Sequence, residues 1–117
     1  MRYGIMYKQG DILLVPIPFS DLSSTKKRPV LVISNCDYNS RTSDVVVVAI
    51  TSNIITRDYT ILFSAEDLIE GTLKVNSCIR VDKIYSISQD IVLNKFGSVN
   101  EDVINKTIAK LIELIRN

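Results

Sequence analysis

Histidine and tryptophan are both missing from the 117 residues, and cysteine, proline and glycine number only 2, 3 and 4. Without histidine there is no Ser–His or Cys–His nucleophile pair, and no paired-histidine acid and base of the kind many phosphodiesterases use. Cys36 and Cys78 lie far apart without CxxC spacing. They supply neither a disulfide framework nor the ligand set of a zinc site, so a reduced, cytoplasmic protein without metal or other cofactor is expected. The longest uninterrupted apolar run, VVVVAI at residues 45–50, falls far short of the roughly 20 residues of a membrane span. The leading MRYGIMYKQGD segment lacks the charged-then-apolar order of a signal peptide. No GxxxxGK[ST] or GxGxxG occurs, which disfavours nucleotide folds. Lys and Arg number 14 against 13 Asp and Glu, a formal charge of +1. That balance excludes a uniformly basic surface, so any polyanion has to be met in a local groove.

What is there is mostly strand. Hydrophobic residues make up 46% and charged residues 23%, an ordinary globular composition whose Val and Ile favour β-structure. Residues 1–117 read as one domain, long enough to bury about two-thirds of the surface of the unfolded chain. Gly10-Asp11 signals a turn ahead of a first strand at residues 12–17. Pro16 has no N–H to donate, which sets the end of that strand at a sheet edge or bulge. A loop of Ser, Asp and Thr at residues 19–27 leads to a second strand at residues 29–34, and another loop at residues 35–44 to a third at residues 45–51. The third shows no alternation, which marks a central strand covered on both faces. A fourth strand is expected at residues 59–63, then a single helical turn at AEDL, then a fifth strand at residues 77–84. In the fifth strand Cys78, Arg80 and Asp82 share a face at period two, although Lys83 breaks the phase.

NEDVINKTIAKLIELIRN is the clearest helix. Asn100 can cap it, Glu101 and Asp102 suit its positive end, and Val103, Ile104, Thr107, Ile108, Leu111, Ile112 and Ile115 form one stripe. The stripe faces either the core or a subunit interface. Short strands followed by one helix imply a mainly β fold, a small curved β-barrel with a C-terminal helix.

The stretch KKRPVLVIS at residues 26–34 runs three cations and a proline into a strand. Lys26, Lys27 and Arg28 are either solvated loop residues or cations held where a phosphate sits. With histidine and metal excluded, the surviving chemistry is that of cations and hydroxyls. It suits RNA strand scission in which the 2′-OH attacks its own phosphate, because the substrate brings the nucleophile and the protein aligns it and stabilises charge. Arginine's planar fork meets a phosphate bidentately.

GDILLVPIPFSDLSSTKKRPVLVIS, VVVVAITS and IRVDKI together resemble the MazF/PemK family of toxin endoribonucleases, over about residues 7–115. The resemblance implies an SH3-like barrel, a homodimer, and metal-independent cleavage of single-stranded RNA to 2′,3′-cyclic phosphate and 5′-OH ends. It also implies a cognate antitoxin whose flexible tail blocks the RNA groove. On the matching positions, Arg28 and Thr51 are the catalytic candidates. Arg28 would neutralise the scissile phosphate, and Thr51, with Ser52 beside it, would donate hydrogen bonds to the phosphorane oxygens. Phe19, Ser20, Lys26 and Lys27 fall in the loop that covers the family's RNA groove, where stacking and phosphate contacts are expected. Arg80 and Asp82 match the family's IRVDK segment, either as RNA contacts or as an internal ion pair. Where part of the family carries an acid–base pair, this chain has Val75-Asn76-Ser77-Cys78. Ser77 is the hydrogen-bonding RNA candidate there but is no base at neutral pH. A toxin of the same barrel that binds DNA gyrase, and a non-catalytic RNA-binding module, are the competing readings.

Overall fold

The computed structural model describes residues 6–18, 25–54 and 58–117. Among these, the strands are β1 (Asp11–Pro18), β2 (Thr25–Val32), β3 (Asp44–Thr51), β4 (Thr60–Phe63), β5 (Leu68–Gly71), β6 (Ser77–Ser88) and β7 (Asn94–Val99). Helix α1 (Cys36–Arg41) lies between β2 and β3, and α2 (Glu101–Ile115) closes the chain. The strands form one antiparallel sheet in the order β4-β6-β3-β2-β1-β7-β5. Its two edges, β4 and β5, are joined through a 3-10 turn at Ala65–Asp67. The sheet therefore curls on itself into a half-barrel, the mainly β architecture with a C-terminal helix that the strand pattern implies.

Two cores lie on opposite faces of the central strands. Ile12, Leu31, Val48 and Ile50 point into the barrel with Phe63 of β4 and Val103 of α2. Leu13, Val15, Val30, Val32, Val45 and Val47 fill the other face. Strands β1, β2 and β3 thus bury side chains on both sides, which is why VVVVAI shows no polar alternation.

Prolines and bulges set where pairing stops. The carbonyl of Leu14 accepts from the N–H of Leu93 at 2.9 Å. Pro16, two residues on, turns its nitrogen to the same side, where β7 pairing has already ended at Leu14. The edge position expected of this proline is the observed one. In β6 the pairing with β3 jumps from Val48↔Ile84 to Ala49↔Arg80, leaving residues 81–83 bulged out. The bulge turns the strand from the barrel core, entered by Ile79 and Val81, to the second core, approached by Tyr85 and Ile87. Lys83 sits in the bulge, which accounts for the broken phase at that residue.

Three expectations are corrected. Strands β5 and β7 have no counterpart in the sequence reading; LIEG and NKFGSV are short, polar and glycine-containing. The segment at residues 35–44 holds α1, whose first turn is capped by Asn35 accepting from the N–H of Tyr38 at 2.9 Å. The stripe of α2 splits: Val103 and Thr107 are buried and Ile104 and Leu111 pack on the core, whereas Ile108, Ile112 and Ile115 are exposed.

A buried amide pair ties the N-terminal segment to the loops. Asn39 Nδ2 donates to the carbonyls of Tyr7 and Ser34, and Gln89 Nε2 donates to that of Asn39 at 2.9 Å, with the Thr42 and Asp44 carbonyls close by. Gln89 Oε1 accepts from the N–H of Tyr7. Gln89→Leu strands these buried carbonyls and should lower stability by about 2–4 kcal/mol, read as a lower urea midpoint at unchanged m-value.

Candidate functional site

The site grows from a ladder that is cut short. β2 and β3 pair at Val30↔Ala49, Leu31↔Val48 and Val32↔Val47. Ile33 donates its N–H to the Val46 carbonyl at 2.9 Å, and in an antiparallel strand every second N–H points to the same neighbour. Leu31 and Pro29 therefore turn their nitrogens toward β3, and Pro29 has no hydrogen to give. Registered pairing between the two strands ends at Val30, while β2 stays paired to β1 through Val15↔Arg28 and Pro16↔Lys27. Continuing the β2–β3 register outward sets Arg28 across from Thr51, beyond the last registered pair Val30↔Ala49.

A cleft of about 570 Å³ opens at this point. Its floor is the end of the barrel core, with Ile12, Ile50 and Phe63. Lys27, Arg28 and Pro29 come from β2, Thr51 and Ser52 from the end of β3, and Ser77 from the start of β6. The remaining wall is the segment from Thr72 to Val75 together with Phe96 of β7. Three cations, Lys27, Arg28 and Lys74, line the cleft, and its described lining includes no Asp or Glu. A near-neutral chain thus concentrates positive charge at one apolar-floored groove, the arrangement that attracts a phosphate.

The hydroxyls are oriented by their neighbours. Thr51 Oγ1 accepts from the N–H of Asn53 at 3.1 Å, which uses one of its two lone pairs and leaves the O–H to donate. The strand-ending turn and the donor role are compatible in one residue. Ser52 is exposed next to it. Ser77 is buried and its Oγ donates to the Val75 carbonyl at 3.2 Å, which shapes the cleft wall.

Five of the residues singled out from sequence, Lys27, Arg28, Thr51, Ser52 and Ser77, converge on this cleft. Lys26 lies next to it on β2, opposite Ile17 and exposed. Phe19 and Ser20 fall outside the described residues. Arg80 and Asp82 are not among the lining residues and are joined to each other, Nε to Oδ1 at 3.0 Å and Nη2 to Oδ2 at 2.9 Å. That bidentate pair spans the β6 bulge. Among the described residues no three His, Cys, Asp or Glu side chains are grouped so as to hold a metal ion, and no helix is long and apolar enough to cross a membrane. Sequence reasoning missed Lys74, Thr72 and Phe96, because the strands that carry them into place show no periodic pattern.

Residues 8–115 match the family described as PemK-like, MazF-like toxin of type II toxin-antitoxin system. An endoribonuclease from a Mycobacterial species has a similar structure at 20% identity and a TM-score of 0.77, over 96% of this chain and 93% of that one. MazE–MazF (Form-III) from Deinococcus radiodurans is similar at 18% identity and a TM-score of 0.77, over 95% and 97%. A Mycobacterial endoribonuclease in complex with its cognate antitoxin is similar at 19% identity and a TM-score of 0.71, over 92% of both chains. At these identities the likeness is one of fold. No curated protein matches the sequence at a significant level.

The Arg80 hydrogen bonds hold the Asp82 carboxyl below its ordinary value, and the same contact raises the guanidinium. A carboxyl depressed on folding contributes stability above its unfolded pKa of about 4, and that contribution is lost as pH falls through the folded value. In a carbon-detected NMR titration, Asp82 should therefore titrate below the usual aspartate range, and Arg80→Ala should return it to that range. An unchanged midpoint in Arg80→Ala would show that the pair does not persist in solution.

Proposed function

The chain belongs to the PemK-like, MazF-like toxin family of type II toxin-antitoxin systems, and from that premise we propose that it is an endoribonuclease that cuts single-stranded RNA without a metal. The observation that carries this reading is the meeting of Arg28, Thr51 and Ser52 in one cationic cleft, from two strands whose ladder Pro29 interrupts.

The chemistry follows from what lines the cleft. The 2′-oxygen forms a bond to the adjacent phosphorus, and the bond from phosphorus to the 5′-oxygen breaks. A 2′,3′-cyclic phosphate and a 5′-OH are left. The 2′ proton leaves to water and the 5′-oxygen takes a proton back from water. Negative charge builds on the phosphorane oxygens in between. Arg28 neutralises it through a planar pair of N–H donors, and Thr51 and Ser52 add hydroxyl donors fixed before the reaction starts, so little reorganisation is needed. A guanidinium holds its proton too firmly to be a good proton shuttle. With no carboxylate among the described lining, the rate rests on alignment and charge stabilisation. Lys26 and Lys27 guide the flanking phosphates toward the cleft.

Partners follow from the family and from the fold relatives. The solved MazE–MazF and endoribonuclease–antitoxin complexes support a cognate antitoxin. The exposed Ile108, Ile112 and Ile115 of α2 support a homodimer that covers apolar surface. The site of action is the cytoplasm, where messenger RNA is found.

The test is incubation of the purified protein, in EDTA, with long single-stranded RNA, followed by mapping of the fragment ends. Discrete cuts with 5′-OH ends are expected. Arg28→Ala should slow cutting by about 100- to 1,000-fold, the usual cost of one oxyanion-stabilising donor. Arg28→Lys should not restore it, because the planar fork is lost. Thr51→Ala should fall substantially and Thr51→Ser should keep most of the rate. Binding without cutting that tolerates Thr51→Ala would favour an RNA-binding module instead. Neither binding nor cutting, with capture of DNA gyrase, would favour a protein-binding toxin.

A further inference from the structure

Phe96 is the one aromatic among the described residues that is exposed, at 45%, and it lines the cationic cleft together with Arg28 and Thr51. Its direction is set by β7. Lys95, one residue earlier, turns to the other face, where it meets Asp11 at 3.5 Å and Glu70 at 3.3 Å in a separate polar cleft. Phe96 is the residue left over where the β1 pairing shifts from Ile12↔Gly97 to Leu13↔Lys95, and this bulge carries its ring to the lining of the cationic cleft.

The backbone beneath the ring is clamped. Gly71 and Gly97 are paired across β5 and β7. A Cβ on Gly71 would stand 2.2 Å from the carbonyl oxygen of Phe96, and one on Gly97 would stand 2.2 Å from that of Glu70. Gly71 also has φ +90°, a conformation L side chains rarely adopt. Only glycine at both positions lets the strands approach this closely. The crossing fixes Phe96 in place, and the chain leaving Gly71 enters the segment that carries Thr72 and Lys74 along the same cleft. A rigid, exposed aromatic face beside a lysine is the pairing that single-stranded nucleic acid recognises, base on ring and phosphate on cation.

We propose that Phe96 and Lys74 form a second subsite of the cleft, in which the base of a nucleotide flanking the scissile phosphate stacks on Phe96 while Lys74 meets the adjoining phosphate. This rests on the reading of the cleft as an RNA site. It extends the groove from the cutting centre on β2 and β3 to the β5–β7 wall, and assigns a role in substrate selection to residues outside the Arg28–Thr51 pair. Stacking tolerates every base, so Phe96 supplies affinity and favours the bases that stack best.

The probe is a 13-nucleotide RNA spanning a mapped cut, 2′-O-methylated throughout so that it cannot be cleaved, and a series carrying one abasic position at a time. Affinity is measured by fluorescence anisotropy at several salt concentrations. Phe96→Ala should bind on the order of 10- to 100-fold more weakly, the usual effect of losing one base stack, and Phe96→Tyr should bind like the wild type. One abasic position near the cut should weaken the wild type by a similar factor and leave Phe96→Ala unaffected. Lys74→Ala should lower the slope of log affinity against log salt by about one, and Phe96→Ala should leave that slope unchanged. Cutting and wild-type affinity in Phe96→Ala, or abasic losses that are the same with and without the ring, would overturn the subsite alone. Failure of the wild type to cut or bind RNA would overturn the subsite together with the reading of the cleft.

Discussion

Pro29 turns a nitrogen without hydrogen toward β3, in the phase where Ile33, four residues further on, donates to Val46. That missing donor decides where two central strands part. On the β1 side nothing is lost, since Arg28 and Lys27 keep their partners Val15 and Pro16. One edge of β2 is therefore anchored while the other is released, and the residue just before the proline is held on a stiff strand at the lip of an opening. A flexible loop could carry the same arginine, but it would have to order itself each time a phosphate arrived. Here the ordering is done by folding.

The electrostatics follow the same economy. A chain of net charge +1 cannot attract RNA by bulk charge, yet its cleft is lined by three cations with an apolar floor. Charge placed over a low-dielectric floor is felt more strongly than the same charge spread over a wet surface. Two cations outside the cleft are held in ion pairs. Arg80 is spent on Asp82, and Lys95 lies between Asp11 and Glu70, whose attraction outweighs the burial that opposes its charge and raises its pKa. The two cores on opposite faces of β1–β3 give these arrangements a stiff support.

Much of this was legible in the sequence, and unevenly so. Strands with a Val- and Ile-rich run declared themselves, as did α2, because periodicity and caps are local signals. Gly10-Asp11 read as a turn, and it is one, with Gly10 at φ +96° and the Asp11 carboxylate accepting from the N–H of Lys8 at 2.8 Å. Arg28, Thr51 and Ser52 were legible through a family resemblance, and their meeting in the cleft depends on a register that the proline hints at. Strands β5 and β7 were not legible. Their stability comes from pairing with distant partners and from a glycine crossing, neither of which leaves a pattern in four to six residues, so Phe96 and Lys74 went unseen with them. The Lys83 misphase was a real signal whose cause, a bulge between two cores, only the fold reveals. The apolar stripe of α2 was read as one surface, but Val103, Ile104, Thr107 and Leu111 meet the core while Ile108, Ile112 and Ile115 stay exposed.

The pairing of β1 with β7, from Asp11↔Ser98 to Leu14↔Asn94, joins segments far apart in sequence. During synthesis, β1, β2 and β3 emerge well before β7, the neighbour that completes β1. Contacts of such long range form late, since the loop between them has to close first. The cleft takes Ile12 from β1 and Phe96 from β7, so a nascent chain that has not yet released β7 carries Arg28 and Thr51 without a finished groove around them. The order in which the strands are woven makes the completed groove wait for β7.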